Sequence, residues 1–508
     1  MIWRLLLIAI LLIDIFNLSV FATTLKELHH PLLSSGQFKL SPFFKIYNIK
    51  YYYASIDQYS GSYIHTNFSW LPQIAYGFKD NFQFSIKGTY LFPKEFSHPV
   101  PFEEWWYHKE KTKLYSLLSE LVYRPSGKFE LCISALAGHS KIDENYAKTI
   151  GINAVEVKDY HTNILTLRGT WLSNPTHSYK IIKSDLEGLH HPLLDKGQMK
   201  VQPEIQISWY DYSYYNSDDT TPDYLRENTE IANIYFKPSI TYGVTDRFQI
   251  EGNIFYCFPY HVDSYSEGRL TWQNNSWKKI KNKRTKFTEN TGTKFRLINR
   301  FSSRCELFLD ALYYQYKINY RVKIKEYRNG TLQPEYSYEG GTVFKIRSIK
   351  LGGSWISKTK KQATPLTTNL DGLNHPLLEK NQIKIDSFIY HEYFKKYKED
   401  FIFYFIDAQA TYGVMNSLQF SGSIGCSFYK NYFTRFKYEK DFAGNLTIKF
   451  RHKENIEIYL AANFSPLKTI RFPPFIQPYY ELDFKYINFQ DNHYGENFNL
   501  NLGIILLF

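Results

Sequence analysis

The chain has 508 residues, with 61 basic and 49 acidic side chains for a formal charge of +12, and 18% of it is Tyr, Phe or Trp. Hydrophobic residues at 44% and charged residues at 22% exclude a disordered chain and a bundle of transmembrane helices. The charge is spread along the chain, which suits anionic neighbours and does not call for nucleic acid.

In chain order, the first element is at residues 1–22. Arg4 precedes an apolar run broken only by Asp14, and small residues flank Phe21 at Val20 and Ala22. This reads as a signal peptide cleaved near Ala22, because the run is too short to span hydrocarbon about 30 Å thick. The remaining 23–508 is expected to be one domain in three units, about 25–185, 186–369 and 370–508. Each unit opens on a related segment: His30-Pro31-Leu32-Leu33, His191-Pro192-Leu193-Leu194 and His375-Pro376-Leu377-Leu378. A second marker follows, Tyr76-Gly77 with Gln83, Tyr242-Gly243 with Gln249, and Tyr412-Gly413 with Gln419. A third is an arginine followed six residues later by glutamate: Arg124 and Glu130, Arg300 and Glu306, Arg451 and Glu457.

Within a unit the period is two. Met199, Val201, Ile205, Ile207 and Trp209 alternate with Lys200, Gln202, Glu204, Gln206 and Ser208, and Phe248, Ile250 and Ile254 alternate with Gln249, Glu251 and Asn253. A helix would scatter both sets around its circumference, whereas a strand separates them onto two faces. Long strands with one bulky apolar face and one polar face suit a transmembrane barrel with a wet interior better than a sandwich. Connections alternate in length, as they do between periplasmic turns and outer loops. Tight turns are expected at 77–81, 243–247, 413–417, 125–128, 301–304 and 452–455, and long loops at 93–111, 141–160 and 259–288. The expected fold is therefore all-β, a single antiparallel transmembrane β-barrel of about 18 strands (16 to 20) in three six-strand repeats, with both termini in the periplasm. The stretch around Tyr480, Leu482, Phe484 and Tyr486 is assigned to an outer hairpin.

The last strand is apolar at every second position from Phe498 to Leu506 and ends on Phe508. Here the chain resembles bacterial outer-membrane barrel proteins, whose terminal aromatic residue belongs to the signal read by the barrel-assembly machinery. The resemblance implies an outer-membrane location, lipid and lipopolysaccharide neighbours, and Phe508 as the assembly signal. The stretch from Tyr242 to Gln249 also looks like the periplasmic turn motif of channel families linked to uptake of aromatic compounds.

On the polar parity, Gln83, Gln249, Gln419, Glu130, Glu306, Glu457, Lys200, Glu204 and Glu251 are expected to line the lumen, either as a pore wall or as solvated residues paired with lysines such as Lys87 and Lys237. The His-Pro-Leu-Leu segments either plug or dock at the periplasmic mouth, with histidines that bear on metal, or simply pack their leucines beneath the barrel. Lys278, Lys279, Lys281, Lys283, Arg284 and Lys286 read as a basic loop beside Trp272 and Trp277, and Asn329-Gly330 as a hairpin tip. Trp171, Trp355, Tyr76 and Tyr242 are girdle candidates.

The four cysteines, Cys132, Cys257, Cys305 and Cys426, have no metal-ligand spacing, and no phosphate loop, nucleophile elbow or HExxH motif is present. The expectation is a non-enzymatic channel for passive diffusion of small polar or aromatic solutes, without cofactor or metal. Its rivals are a filled structural or adhesive barrel, favoured by the bulk of Tyr210, Tyr212, Tyr235 and Phe255, and an enzyme at the rim built from residues such as Ser140, His65, His98 and His161.

Overall fold

Alternation at period two leaves each backbone N–H and C=O in need of a partner on a neighbouring strand, and a wall in hydrocarbon satisfies all of them only by closing on itself. The computed structural model describes residues 32–54, 60–99, 106–148, 153–173, 193–218, 224–271, 277–358, 377–396, 399–431, 439–453, 455–469 and 493–508. Residues 1–22, the motif residues His30, Pro31, His191, Pro192, His375 and Pro376, Trp272, and the stretch from Tyr480 to Tyr486 lie outside them.

The first third of the chain forms β1 (Phe38–Ala54), β2 (Ser60–Lys79), β3 (Phe82–Pro99), β4 (Trp106–Ser126), β5 (Phe129–Lys148) and β6 (Asn153–Leu172). The middle third forms β7 (Met199–Gln202), β8 (Glu204–Asp218), β9 (Tyr224–Phe236), β10 (Ser239–Thr245), β11 (Phe248–Thr271), β12 (Trp277–Ser302), β13 (Cys305–Arg328), β14 (Thr331–Leu332) and β15 (Tyr336–Ile356). The last third forms β16 (Ile383–Lys396), β17 (Glu399–Met415), β18 (Leu418–Asn431), β19 (Glu439–Lys453), β20 (Ile456–Thr469) and β21 (His493–Leu507). All pairings are antiparallel, and β1 pairs with β21, so the sheet is a closed barrel. The described residues contain no helix, and hence none long and apolar enough to cross a membrane.

Apart from β14, a two-residue piece beside a hairpin tip, the described residues give the wall twenty segments, above the expected figure of about 18 and at the top of the expected range of 16 to 20. Two of the breaks fall at prolines, which have no N–H to give a ladder. Pro203 separates β7 from β8, and Pro238 separates β9 from β10. Bonding continues through both gaps: the Gly169 amide donates to the Pro203 carbonyl at 3.0 Å, and that of Ile254 to the Pro238 carbonyl at 3.0 Å. The register against the neighbouring strand is the same on the two sides of each proline.

Strands extend further than expected at both ends. The tight turns shrink to the residue pairs beside Asp80, Asp246 and Asn416, since a register shift after Gly77, Gly243 and Gly413 lets each ladder run on to Lys79, Thr245 and Met415. At the other end the long loops at 93–111, 141–160 and 259–288 are largely strand. The basic run from Lys278 to Lys286 lies in β12, bonded to β11 and β13 on either side, and is not a loop. Asn329 and Gly330 sit at a hairpin tip with φ of 47° and 85°, the left-handed conformation that a two-residue turn requires.

Apolar side chains of the wall face outward. Phe44, Trp70, Leu117, Ile254, Leu351, Ile389 and Ile424 are all exposed, Ile424 by 70%. So broad an apolar exterior is unfavourable in water and suits lipid. Trp171, Trp355, Tyr76 and Tyr242 lie on this outer surface near the tight turns, where girdle residues belong. Ile424→Arg should therefore lower the unfolding free energy in lipid vesicles by about 2–4 kcal/mol, and Ser423→Arg, on the opposite face of the same strand, by far less. Denaturant titration of both variants, followed by Trp fluorescence, checks this.

Candidate functional site

The tight-turn end of the barrel carries the same small construction three times. In each, a glutamine from the second residue of a wall strand reaches back to the segment that opens a unit. Gln83, Gln249 and Gln419 accept hydrogen bonds from the amides of Leu33, Leu194 and Leu378 at 2.9, 3.0 and 3.1 Å. Turn residues Asp80, Asp246 and Asn416 accept from Ser35, Lys196 and Lys380 at 2.8, 2.9 and 2.9 Å. The amides of Gly36, Gly197 and Asn381 donate to the carbonyls of Gly77, Gly243 and Gly413, each at 2.7 Å. Gly36 and Gly197 have φ of 79° and 75°, and Asn381, the third occupant, has 65°. Asparagine is one of the few residues that tolerates this region, and its Oδ1 accepts a further bond from the Tyr412 hydroxyl at 2.8 Å.

These bonds clamp each segment against the wall. A Cβ on Gly77, Gly243 or Gly413 would stand 2.3, 2.2 or 2.1 Å from the carbonyl oxygen of Ser34, Asp195 or Glu379, so the close approach admits only glycine. Each clasp buries one leucine against an adjoining strand end: Leu33 on Ile505 and Leu507, Leu194 on Leu172, and Leu378 on Ile356. Full burial of such a side chain contributes about 1.5–3 kcal/mol. Of the repeated His-Pro-Leu-Leu segments, the second leucine thus packs against a strand end in all three copies.

Behind the clasps stand three buried ion pairs. Arg124 Nε donates to Glu130 at 2.5 Å, Arg300 to Glu306 through Nε at 3.0 Å and Nη2 at 2.8 Å, and Arg451 Nε to Glu457 at 2.7 Å. The nine sequence-selected lumen residues all fall on the inward parity, but the three glutamines and three glutamates are engaged in these structural contacts. Lys200, Glu204 and Glu251 remain on the inner wall, with Lys237 joining Glu204 at 3.6 Å and Gln206 at 2.6 Å. The Arg-to-Glu spacing was visible in the sequence, but it did not reveal that the two side chains meet across a turn.

Farther along, the inner face is aromatic. Phe255 lies 5.4 Å from Tyr235 and 5.6 Å from Tyr314, with the Lys237 ammonium 5.6 and 5.7 Å from the Tyr235 and Phe255 rings. Tyr160 contacts Tyr212 at 4.7 Å, and Phe344 lies between Tyr316 and Phe394 at 5.7 and 5.9 Å. Phe388 packs on Phe405 at 5.6 Å and carries the Lys350 ammonium 3.7 Å above its centroid. Arg296 and Asp310 form an ion pair on the same inner wall at 3.2 Å. Cation–π contacts of this kind add a ring's attraction to that of the nearby carboxylates in holding a charge beside an apolar surface.

No family model and no curated protein matches the chain. Among solved structures it is similar to the ferric yersiniabactin uptake receptor FyuA of Yersinia pestis, at 7% identity over 94% of this chain and 80% of that one, with a TM-score of 0.45. It is also similar to the alcaligin outer-membrane receptor FauA of Bordetella pertussis, at 10% identity over 94% and 76% with a TM-score of 0.41, and to a Pseudomonas aeruginosa FadL homologue, at 8% over 93% and 90% with 0.28. What those proteins carry is theirs alone.

Two outcomes follow from the clasps and their ion pairs. Breaking one buried pair strands a charge, so Arg451→Met should cost about 3–5 kcal/mol in the unfolding free energy, and Arg451→Met with Glu457→Met should recover most of it. A double-mutant cycle in urea measures both. In the second clasp, burial and then the neighbouring Asp246 carboxylate push the Asp195 carboxyl above its usual range. A raised acid favours the folded state when protonated, so its contribution is complete at low pH and is lost as pH rises through the folded value. Asp195→Asn should accordingly raise the protection of the Lys196 and Gly197 amides against hydrogen exchange at neutral pH, and make their protection factors vary less with pH than in the native chain.

Proposed function

We propose that the protein is a channel of the bacterial outer membrane through which small polar or aromatic solutes diffuse passively. The carrying observation is the contrast between the faces of one wall: apolar outside, and inside a mixture of aromatic rings with Lys350, Lys237, Arg296, Lys200, Glu204 and Glu251. A flat solute can slide from ring to ring while the charges select among ionised forms by their field. Reading the collinear segments on either side of Pro203 and Pro238 as single spanning strands gives about 18, in three units of six, within the usual range of such barrels. The three clasps at unit openings support that reading. On this proposal residues 1–22 direct export and are removed, Phe508 addresses the barrel-assembly machinery, and lipopolysaccharide surrounds the outer rim.

A filled, non-conducting structural or adhesive barrel is the second reading, and one observation favours it. Tyr235 and Cys257 are exposed by only 2% and 0% beside Phe255, so part of the lumen is packed rather than open.

Planar-bilayer recording of the refolded chain separates the two. A channel gives steady openings whose conductance scales with salt, and Lys350→Glu shifts its reversal potential in a salt gradient toward cation preference. A folded but silent barrel supports the filled reading instead.

A further inference from the structure

A cluster on the outside of the wall belongs neither to the clasps nor to the lumen. His139 on β5 and His161 on β6 are directly opposed in the strand register, and Asp159 precedes His161 by two residues, so all three project from the same face. That face is the exterior, because the register runs unbroken from the opposed pair Phe129 and Trp171, and Trp171 is exposed. The imidazoles stack with centroids 4.3 Å apart and planes 22° from parallel. His139 Nε2 lies 2.7 Å and His161 Nε2 3.5 Å from Asp159 Oδ1, and one donor atom from each of the three residues falls within 4.8 Å of the others.

We propose that His139, Asp159 and His161 form a site for a divalent transition-metal ion, zinc being the simplest case. Two imidazole nitrogens and one carboxylate oxygen are donors that such ions prefer over calcium or magnesium, which take oxygen. Tetrahedral ligands about 2.0–2.1 Å from zinc stand about 3.3 Å apart. The two histidine-to-aspartate separations bracket that value and all three donor atoms lie within 4.8 Å of one another, so ligation needs side-chain adjustment and no change in the strands. Coordination at Nε2 places the ring proton of His139 on Nδ1, and the remaining position is left to water.

Height along the wall adds a second argument. His139 is ten residues beyond Phe129, or about 33 Å along the strand at 3.3 Å per residue. With the usual strand tilt this is about 25 Å of height, the thickness of the apolar band. Outward side chains nearer the turns are Ile133, Ala135, Leu165 and Leu167, and those beyond are Lys113, Lys141 and Asp143. The site therefore lies where hydrocarbon meets the outer headgroups, flanked by the Tyr115 ring 5.0 Å from His139. There a bound ion would cross-link β5 to β6 with low dielectric on one side and solvent on the other.

Zinc titration calorimetry on the refolded full chain in detergent tests this, with copper(II) EPR as a second readout of the ligands. The native chain should bind zinc at least tenfold more tightly than His161→Gln, Asp159→Asn or His139→Gln, and its copper signal should show two nitrogens where His161→Gln shows one. His391→Gln, an outward histidine on β16 packed on Tyr404, should bind like the native chain. His161 is half-exposed, so its variant keeps the test sharp if His139→Gln misfolds. Equal zinc affinity in the native chain and His161→Gln, or no zinc uptake by the native chain, overturns the proposal. Neither result depends on whether the barrel conducts.

Discussion

The backbone bonds that join β1 to β21 are the contact on which the other features rest, because a sheet in hydrocarbon with a free edge would leave a row of unpaired N–H and C=O groups. Phe38 and Phe508 exchange both bonds at 3.0 and 2.8 Å. Once the sheet is closed, the two-residue period becomes an inside and an outside, and each side chain's environment follows from its parity. Closure also explains why Pro203 and Pro238 are tolerated. Their missing donors fall at places where neighbouring carbonyls and amides continue the ladder past the gap, so the wall bends locally without opening.

Closure leaves the mouth to be finished, and the clasps do this by spending few residues. A glutamine, a turn carboxylate or amide, and one glycine carbonyl satisfy the amides of a segment that has no strand to pair with, while a leucine covers the adjoining strand end. The ion pairs serve the same end. Taking Arg451 and Glu457 almost completely out of solvent is unfavourable for either alone, and it is their mutual contact that offsets the loss of hydration. At this end of the barrel, the glutamines and glutamates of the repeated markers are thus consumed by architecture.

Much of this was legible in the amino-acid sequence where the physics is local. Alternation such as that from Met199 to Trp209 needs only neighbouring residues, and Asn329-Gly330 announces its own turn. The recurrence of Tyr-Gly, Gln and Arg-to-Glu markers signalled a repeated contact without showing what touched what. Gln83 lies 50 positions from Leu33, and only the register of β2 against β3 brings its amide oxygen to that backbone. The same holds for His139 and His161, which become neighbours only through the pairing of β5 with β6. Loop boundaries failed for a different reason: strands that rise above the membrane are polar on both faces, so the run from Lys278 to Lys286 has the composition of a loop while bonding as a strand.

Arginine and glutamate neutralise each other behind the clasps, so the field at that end of the inner wall is left to residues such as Lys200 and Glu251. A charge exerts its effect on a passing solute in proportion to how poorly it is screened by a partner at contact distance. Lys237 is close to Glu204, and Arg296 to Asp310, so their fields are partly cancelled as well. Lys350 lies over the Phe388 ring, whose quadrupole attracts the ammonium, and the Asp310 and Asp407 carboxylates are near enough to act on it as well. On the channel reading proposed above, discrimination between ionised solutes falls to the rings and partly compensated charges of the inner wall rather than to the buried pairs behind the clasps.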